Sequence, residues 1–268
     1  MEIHYSILDP TGNITALVES PVWASERQAA AAAIMQRHED VEQVGFLSPA
    51  GEDGLSALEM AGGEFCGNAT MCAASLLALR GLYGDTVSLR VSGAKQPVEV
   101  KLCRTGDNSF RAELKMPPAI EIREHMFAFA SLRGRLPLVR MEGISHLVVE
   151  TRSPFFALLN DPEAAERAVK TFCAELSADG LGLLFLEGEG KERRMTPLVY
   201  IPGSGTVFWE NSCASGSAAL GMYLAAANTA PTELSLREPG GVLHVISDPT
   251  GTLLRGSVRL KASHTLVI

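Results

Sequence analysis

Two short segments constrain this chain more than anything else in it. One reads Glu64-Phe65-Cys66-Gly67-Asn68-Ala69-Thr70-Met71, and the other reads Asn211-Ser212-Cys213-Ala214-Ser215-Gly216-Ser217-Ala218. Each sets a cysteine just ahead of small and polar residues. Each then leads into an Ala-rich apolar stretch, residues 68–82 and 214–227, that reads as a helix. A cysteine at a helix start lies beside backbone N–H groups that lack intrahelical partners and beside the positive end of the helix dipole. Its thiolate is favoured there, and the same N–H groups can bind a carboxylate. Gly67 and Ala214, directly after the cysteines, let the backbone come close to a ligand.

Around the two segments the order of elements repeats. Strands at 3–8 and 14–18 flank the turn Asp9-Pro10-Thr11-Gly12-Asn13 as a hairpin. A helix over 25–38, with Ser25 as its N-cap, precedes strands at 44–47 and 55–60. After the first cysteine helix come strands at 87–91, 98–102 and 110–116. The double proline in Met116-Pro117-Pro118-Ala119 removes two backbone donors and restricts the residues before it, which marks a boundary. Beyond it lie strands at 137–143 and 146–151, then a helix over 162–176 opened by Asp161 or Pro162. Strands at 181–186, 196–201 and 206–209 precede the second cysteine helix, and strands at 234–237, 242–247 and 253–261 follow it. The pattern predicts an α+β chain of two similar α/β halves, 1–117 and 118–257. Each half is expected to be a mixed, mostly antiparallel curved sheet around a central helix. The last strand, near 258–268, is expected to pack back on the first half.

Composition narrows the function. The chain is 268 residues long, 46% hydrophobic, with a formal net charge of -8. That balance argues against a general electrostatic partnership with nucleic acid or anionic membranes. No basic start precedes an apolar run, and the best apolar stretch, 214–227, is broken by Ser215, Gly216, Ser217 and Gly221, so it reads as a buried helix. The five cysteines are odd in number, widely spaced and never in a Cys-x-x-Cys pair. They read as thiols in a reducing cytoplasm, with no metal site. Cys72, Cys103 and Cys173 read as small buried hydrophobes.

Cys66 and Cys213 read as chemistry. Racemisation removes a proton from one face of Cα and delivers another to the opposite face. Two cysteines, one thiolate as base and one thiol as acid, do this symmetrically. The site must also stabilise the carbanion with positioned N–H donors and exclude water. No lysine motif calls for pyridoxal phosphate, so no cofactor is expected.

These residues resemble the diaminopimelate epimerase-like superfamily of PLP-independent racemases. That superfamily shows a Cys-Gly-Asn segment in its first half and a Cys-Gly-x-Gly segment in its second, matched here by Cys66-Gly67-Asn68 and Cys213-Ala214-Ser215-Gly216. Asp9-Pro10-Thr11-Gly12-Asn13 resembles the family's opening turn, and Glu42-Gln43-Val44-Gly45-Phe46 resembles the next substrate-contacting element. His146, before Leu147-Val148-Val149, matches a histidine preceding a strand in the second half. Within the superfamily the chain is most similar to the histidine racemases of opine-metallophore (staphylopine-type) pathways. Pro197-Leu198-Val199-Tyr200-Ile201-Pro202, Trp209-Glu210-Asn211-Ser212-Cys213 and Pro239-Gly240-Gly241 also carry that likeness.

The resemblance implies the epimerase fold, with the active site in the cleft between the halves and Cys66 and Cys213 as the catalytic pair. Asn13, Glu42, Gln43, Gly67, Asn68, Glu210, Asn211, Ala214 and Ser215 are the implied substrate contacts. The implied partner is a small amino acid, histidine first, and a homodimer is an admissible assembly. Diaminopimelate epimerases carry a Glu-Arg pair where this chain has Gly203-Ser204-Gly205-Thr206, and asparagines at positions matched by Ile144 and Leu183. Losing the groups that hold a distal carboxylate argues for a shorter substrate. Ala214, where glycine is usual, adds a methyl that narrows the site. Diaminopimelate epimerase itself, a hydroxyproline epimerase or dehydratase, and a non-catalytic amino-acid-binding protein are the alternatives. Asn13, Glu42, Asn68 and Glu210 also read as caps or turn formers, His146 as a satisfied core histidine, Trp209 as packing, and Gly240-Gly241 as a turn.

Overall fold

The computed structural model describes residues Glu2–Val267. The chain divides into two compact units. One holds the residues up to Lys115 together with those from Arg255 onward, and the other is Met116–Leu254.

The first unit contains β1 (Glu2–Asp9), β2 (Thr15–Val18), α1 (Arg27–Arg37), β3 (Gln43–Ser48), β4 (Ser56–Met60), α2 (Gly67–Leu79), β5 (Thr86–Val91), β6 (Val98–Gly106) and β7 (Ser109–Met116). The second contains β8 (Glu121–Phe129), β9 (Leu132–Arg140), β10 (Ser145–Glu150), α3 (Pro162–Leu176), β11 (Leu181–Glu187), β12 (Glu192–Ile201), β13 (Thr206–Trp209), α4 (Ala214–Asn228), β14 (Thr232–Glu238) and β15 (Gly241–Asp248). The last strand, β16 (Gly251–Val267), starts in the second unit and belongs to the first from Arg255.

In the first unit the strands neighbour one another in the order β1-β2-β3-β4-β5-β6-β7-β16, and β16 pairs with β1, so the sheet closes on itself. Closure leaves those strands no bare edge. α2 packs against β2, β3, β5 and β6 and is buried continuously from Gly67 to Leu77, so it runs inside the ring. α1 buries one face only, with Ala30, Ala31 and Ile34 packed on Ile3, Tyr5, Ile7, Val44 and Phe46. The second unit orders its strands β8-β9-β10-β11-β12-β14-β15, with β13 paired to β12. α4 packs on β9, β10, β14 and β15 and is buried from Ala214 to Met222. α3 is amphipathic: Ala165, Ala168, Val169, Phe172 and Cys173 face the core beside Phe127, Leu147, Phe155 and Phe185. Burying a side chain such as Phe172 contributes about 2–3 kcal/mol.

The pairing repeats between the units. β1–β2 and β9–β10 are antiparallel, as are β3–β4 and β11–β12, and β5–β6 and β14–β15. Parallel pairs occur where a helix intervenes: β2–β3 across α1, β4–β5 across α2, β10–β11 across α3 and β12–β14 across α4. A helical crossover is what a parallel connection requires.

Several expectations are corrected. Ser25 is not a helix cap; it lies in a short 3-10 turn, Ala24–Glu26, and α1 starts at Arg27. α2 stops at Leu79, short of Leu82, and its N-cap is Cys66, so Asn68 is a helical residue rather than a cap. β8 and the first part of β9, Leu132–Leu136, fall outside the expected strands, because charged residues such as those in Glu121-Ile122-Arg123-Glu124-His125 interrupt the apolar pattern, and the strand expected at 137–143 ends at Arg140. Pro137 lies inside β9 and not at a strand start; β10 pairs only with Leu138–Arg140, so the missing N–H falls beyond that ladder. Cys103 is exposed, not buried, since alternation on β6 turns Val100 and Leu102 inward. Among the described residues no helix is long and apolar enough to cross a membrane. The final residue of the expected 258–268 strand, Ile268, lies outside the described residues.

Gly93 shapes the approach to the first cysteine. Its φ is +72° and a Cβ there would meet the Phe65 backbone nitrogen at 2.4 Å. Gly93→Ala should therefore cost about 1–3 kcal/mol, read as a lower urea midpoint; an unchanged midpoint would contradict the contact.

Candidate active site

In the first unit, Cys66 caps α2 with extended backbone, and its Sγ accepts the Ala69 N–H at 3.3 Å. The thiol donates to Gln43 Oε1 at 3.0 Å. The Gln43 amide nitrogen donates in turn to Thr15 Oγ1 at 2.9 Å and to Asn13 Oδ1. Asn13 Nδ2 donates to Glu42 Oε2 at 2.7 Å. The parallel register that sets Thr15 opposite Gln43 brings these groups together. The opening turn fixes Asn13: Thr11 and Gly12 take left-handed φ of 59° and 98°, and the Asp9 carboxylate accepts the Gly12 N–H at 2.7 Å. Asn13, Glu42, Gln43 and Cys66 thus form one hydrogen-bonded chain. Gly67 and Asn68 follow, both buried in the first turn of α2. Thr70 donates its hydroxyl to the Cys66 carbonyl at 2.7 Å. Burial pushes the nearby Glu64 carboxyl up. It also pushes the Cys72 thiol well up, which fits Cys72 as packing.

In the second unit, Cys213 caps α4, again with extended backbone. Its Sγ lies 3.7 Å from Ser215 Oγ, and Ser215 Oγ lies 3.0 Å from His146 Nε2. His146 is fully buried, and burial pushes its imidazole down to about 3, so the ring is neutral at physiological pH. Gly182 stands across the β10–β11 ladder because a Cβ there would meet His146 Nδ1 at 2.4 Å. Gly216 is required by close packing too: a Cβ would meet Leu184 at 2.6 Å and Cys213 Sγ at 3.1 Å.

The loop before Cys213 is tied down from both sides. Glu210 N–H donates to the Pro197 carbonyl at 3.0 Å, and the Asn211 carbonyl accepts the Gly240 N–H at 2.7 Å. The Pro239-Gly240 turn therefore also anchors the approach to the cysteine. Trp209 stacks on Phe185 at 5.7 Å and packs against the α3 core. Ala214 is buried in the first turn of α4. Gly203-Ser204-Gly205 forms an exposed turn after β12, Thr206 opens β13, and Ile144 and Leu183 are buried in the apolar core.

The helix end does not hold Cys213 as a thiolate at rest. Burial first, then the carboxylates of Glu210 and Glu238, push its thiol well above the ordinary range. Glu238 was not read from sequence, and neither were Thr15 and Ser217. Glu238 Oε2 accepts the Cys213 N–H at 2.6 Å and Oε1 accepts the Ser217 hydroxyl at 2.5 Å. A signal for it existed: Leu234, Leu236 and Glu238 share one face of β14 by alternation, so an acid falls on a buried face.

Known proteins agree with this architecture. The family model described as the histidine racemase CntK N-terminal domain matches residues 2–266. A histidine racemase of Fusobacterium nucleatum is 30% identical over 270 residues, covering 97% of this chain and 95% of its own. A histidine racemase of Staphylococcus aureus is 31% identical over 250 residues, covering 91% and 88%. Among solved structures, a predicted epimerase from Pseudomonas aeruginosa superposes with a TM-score of 0.67 at 19% identity, covering 99% of each chain. A hydroxyproline epimerase from Agrobacterium vitis with bound trans-4-hydroxy-L-proline gives 0.65 at 15% identity, covering 99% of this chain and 92% of its own. A PhzF-family phenazine biosynthesis protein from Bacillus anthracis gives 0.66 at 13% identity over the whole of both chains. These three likenesses establish the two-half epimerase-like α+β fold. The full-length matches in sequence go further: this chain belongs to the histidine racemase family.

Proposed function

We propose that this protein is a cofactor-independent racemase that interconverts L- and D-histidine, with Cys66 and Cys213 as its two bases. The observation that carries the reading is the repeated placement of a cysteine at the N-cap of a central helix whose N-terminal turns are buried. A buried N-terminus offers unpaired N–H donors to a carboxylate and to the charge that develops beside it on Cα. For one enantiomer, one sulfur takes the α-proton as the other delivers a proton to the opposite face; for the other enantiomer the roles exchange. The chemistry requires both thiols to reach the same Cα.

The supporting groups have distinct tasks under this reading. Gln43 orients the Cys66 thiol, held by Thr15 and Asn13. Ser215, braced by neutral His146, orients Cys213. Glu42, at the end of the Asn13 chain, is the candidate contact for the substrate ammonium. Gly67, Asn68, Ala214 and Ser215 border the N–H donors, and Glu210 and Asn211 shape the approach. The absence of arginine from the exposed turn Gly203-Ser204-Gly205 and from Thr206 after it supports a substrate without a distal carboxylate. The reading takes the enzyme to be cytoplasmic, where its thiols stay reduced, and admits a homodimer.

Incubating the reduced protein in D2O with single L-amino acids, and following the α-proton by NMR, tests the substrate. Exchange with histidine is expected. Exchange with LL-diaminopimelate alone would move the chain to that epimerase reaction, and silence across the panel would favour a binding role. Cys66→Ser and Cys213→Ser should each lower racemisation by about 10³-fold or more. Full activity in either variant would refute the two-base mechanism. Mild oxidation should silence the enzyme and a thiol reductant should restore it, with the lost thiols mapped by mass spectrometry. Activity that persists while both thiols are oxidised would count against the pair.

A further inference from the structure

The two cysteine helices differ at one point behind the thiols. β5 ends on Val91 and β14 ends on Glu238, at corresponding places in the repeat, and both side chains are buried. Where the first unit has an apolar group, the second has a carboxyl that is 4% exposed. That carboxyl grips the N-terminus of α4 twice, through the Cys213 N–H at 2.6 Å and the Ser217 hydroxyl at 2.5 Å. The residue that matches Ser217 in the first unit, Thr70, instead turns its hydroxyl to the Cys66 carbonyl.

Glu238 also lines a pocket of about 580 Å³ with Leu159, Glu187, Arg194, Thr196 and Arg237. The charged groups around the pair are Glu187 from β11, Arg194 from β12, Arg237 from β14, and Glu210 just before α4, which is hydrogen-bonded to the thiol. His146, reaching Cys213 through Ser215, adds no charge because it is neutral.

We propose that Glu238 is a positioning residue that governs the charge of Cys213: carboxyl and thiol share one negative charge at the N-terminus of α4, each ionised only when the other is protonated. The inference rests on the reading of Cys213 as a catalytic thiol. Two anions cannot both be held in a buried, poorly screened site without large cost. Burial pushes Glu238 up to about 8, against the opposing pull of its two hydrogen bonds, and the thiol is pushed up by burial first, then by the carboxylates of Glu210 and Glu238. With Glu238 ionised, Cys213 is kept as the thiol that delivers a proton. With Glu238 protonated, the positive helix end is left to stabilise the thiolate that removes one. The proton count of the pair is one in both states, so the exchange leaves the net charge unchanged. At the matching strand end the first unit carries Val91, which has no charge to share.

The test is an NMR titration of protein labelled with 13C at cysteine Cβ, with resonances assigned through Cys66→Ser and Cys213→Ser. Glu238→Gln keeps both hydrogen bonds, since its carbonyl accepts the Cys213 N–H and its NH2 donates to the Ser217 oxygen, but it removes the charge. The Cys213 midpoint should fall by about one pH unit or more, a tenfold or greater gain in thiolate, with the Cys66 midpoint unmoved. Ser217→Ala strips one donor from the carboxylate, shifts the shared charge toward sulfur, and should lower the Cys213 midpoint by less; it serves alone if Glu238→Gln does not fold. A Cys213 midpoint unchanged from wild type, or a fall shared equally by Cys66, overturns the proposal. The titration needs no turnover. A wild type that fails to racemise histidine would therefore defeat the functional reading by itself, and an unmoved Cys213 in an active racemase would defeat only this one.

Discussion

A helix whose N-terminal turns are buried all round must be thin there and must find partners for its first N–H groups, and the rest of this molecule follows from that constraint. α2 and α4 meet the first demand with alanine, glycine and serine. At Gly216 a Cβ would strike Leu184 at 2.6 Å, and at Gly221 it would strike Val245 at 2.4 Å. They meet the second demand unequally. α2 caps itself with the Cys66 sulfur. α4 has no side-chain cap from Cys213 and takes a buried carboxylate, Glu238, at the Cys213 N–H. Packing against the strands makes the N-terminal turn of each helix the place where backbone N–H groups and a cysteine sulfur meet.

That arrangement suits proton chemistry at a weakly acidic carbon. Preorganised N–H donors in a dry setting stabilise developing charge without reorganising, which water cannot do. The side chains around each sulfur then set its direction and its proton. In the first unit a chain of amides, Gln43 and Asn13, ends on Glu42. In the second a neutral imidazole and a hydroxyl do the aiming. The repeat supplies two similar frames, and the decoration of each frame makes the two thiols chemically distinct.

Much of this was legible because it depends on local rules. Alternation exposed most of the strands, the Asp9–Asn13 turn marked the first hairpin, and the helix over Pro162–Leu176 ended where its periodicity did. The misses have physical causes. The β8–β9 hairpin sets charged residues, among them Arg123, Arg133 and Arg135, between the few side chains it buries, Phe127, Leu136 and Leu138, and that dilutes its apolar period. Ser25 satisfies the usual cap preference, but the chain enters α1 through a 3-10 turn that moves the start to Arg27. Cys103 shows that residue type alone does not set burial, because the strand's parity turned it outward.

By itself the sequence determined the repeated order of strands and helices and the two cysteine positions at helix starts, since turn chemistry, period and small-residue runs act over a few residues. It also carried the family likeness, which motif spacing preserves. Only the tertiary structure decided that the first sheet closes around α2, that Gln43 reaches Cys66, that His146 braces Ser215, and that Glu238 lies behind Cys213. The three side-chain contacts join residues 23 to 69 positions apart, and the sheet closure joins the two ends of the chain. No local preference encodes such pairings; strand register and the packing of a helix enclosed by its own sheet create them.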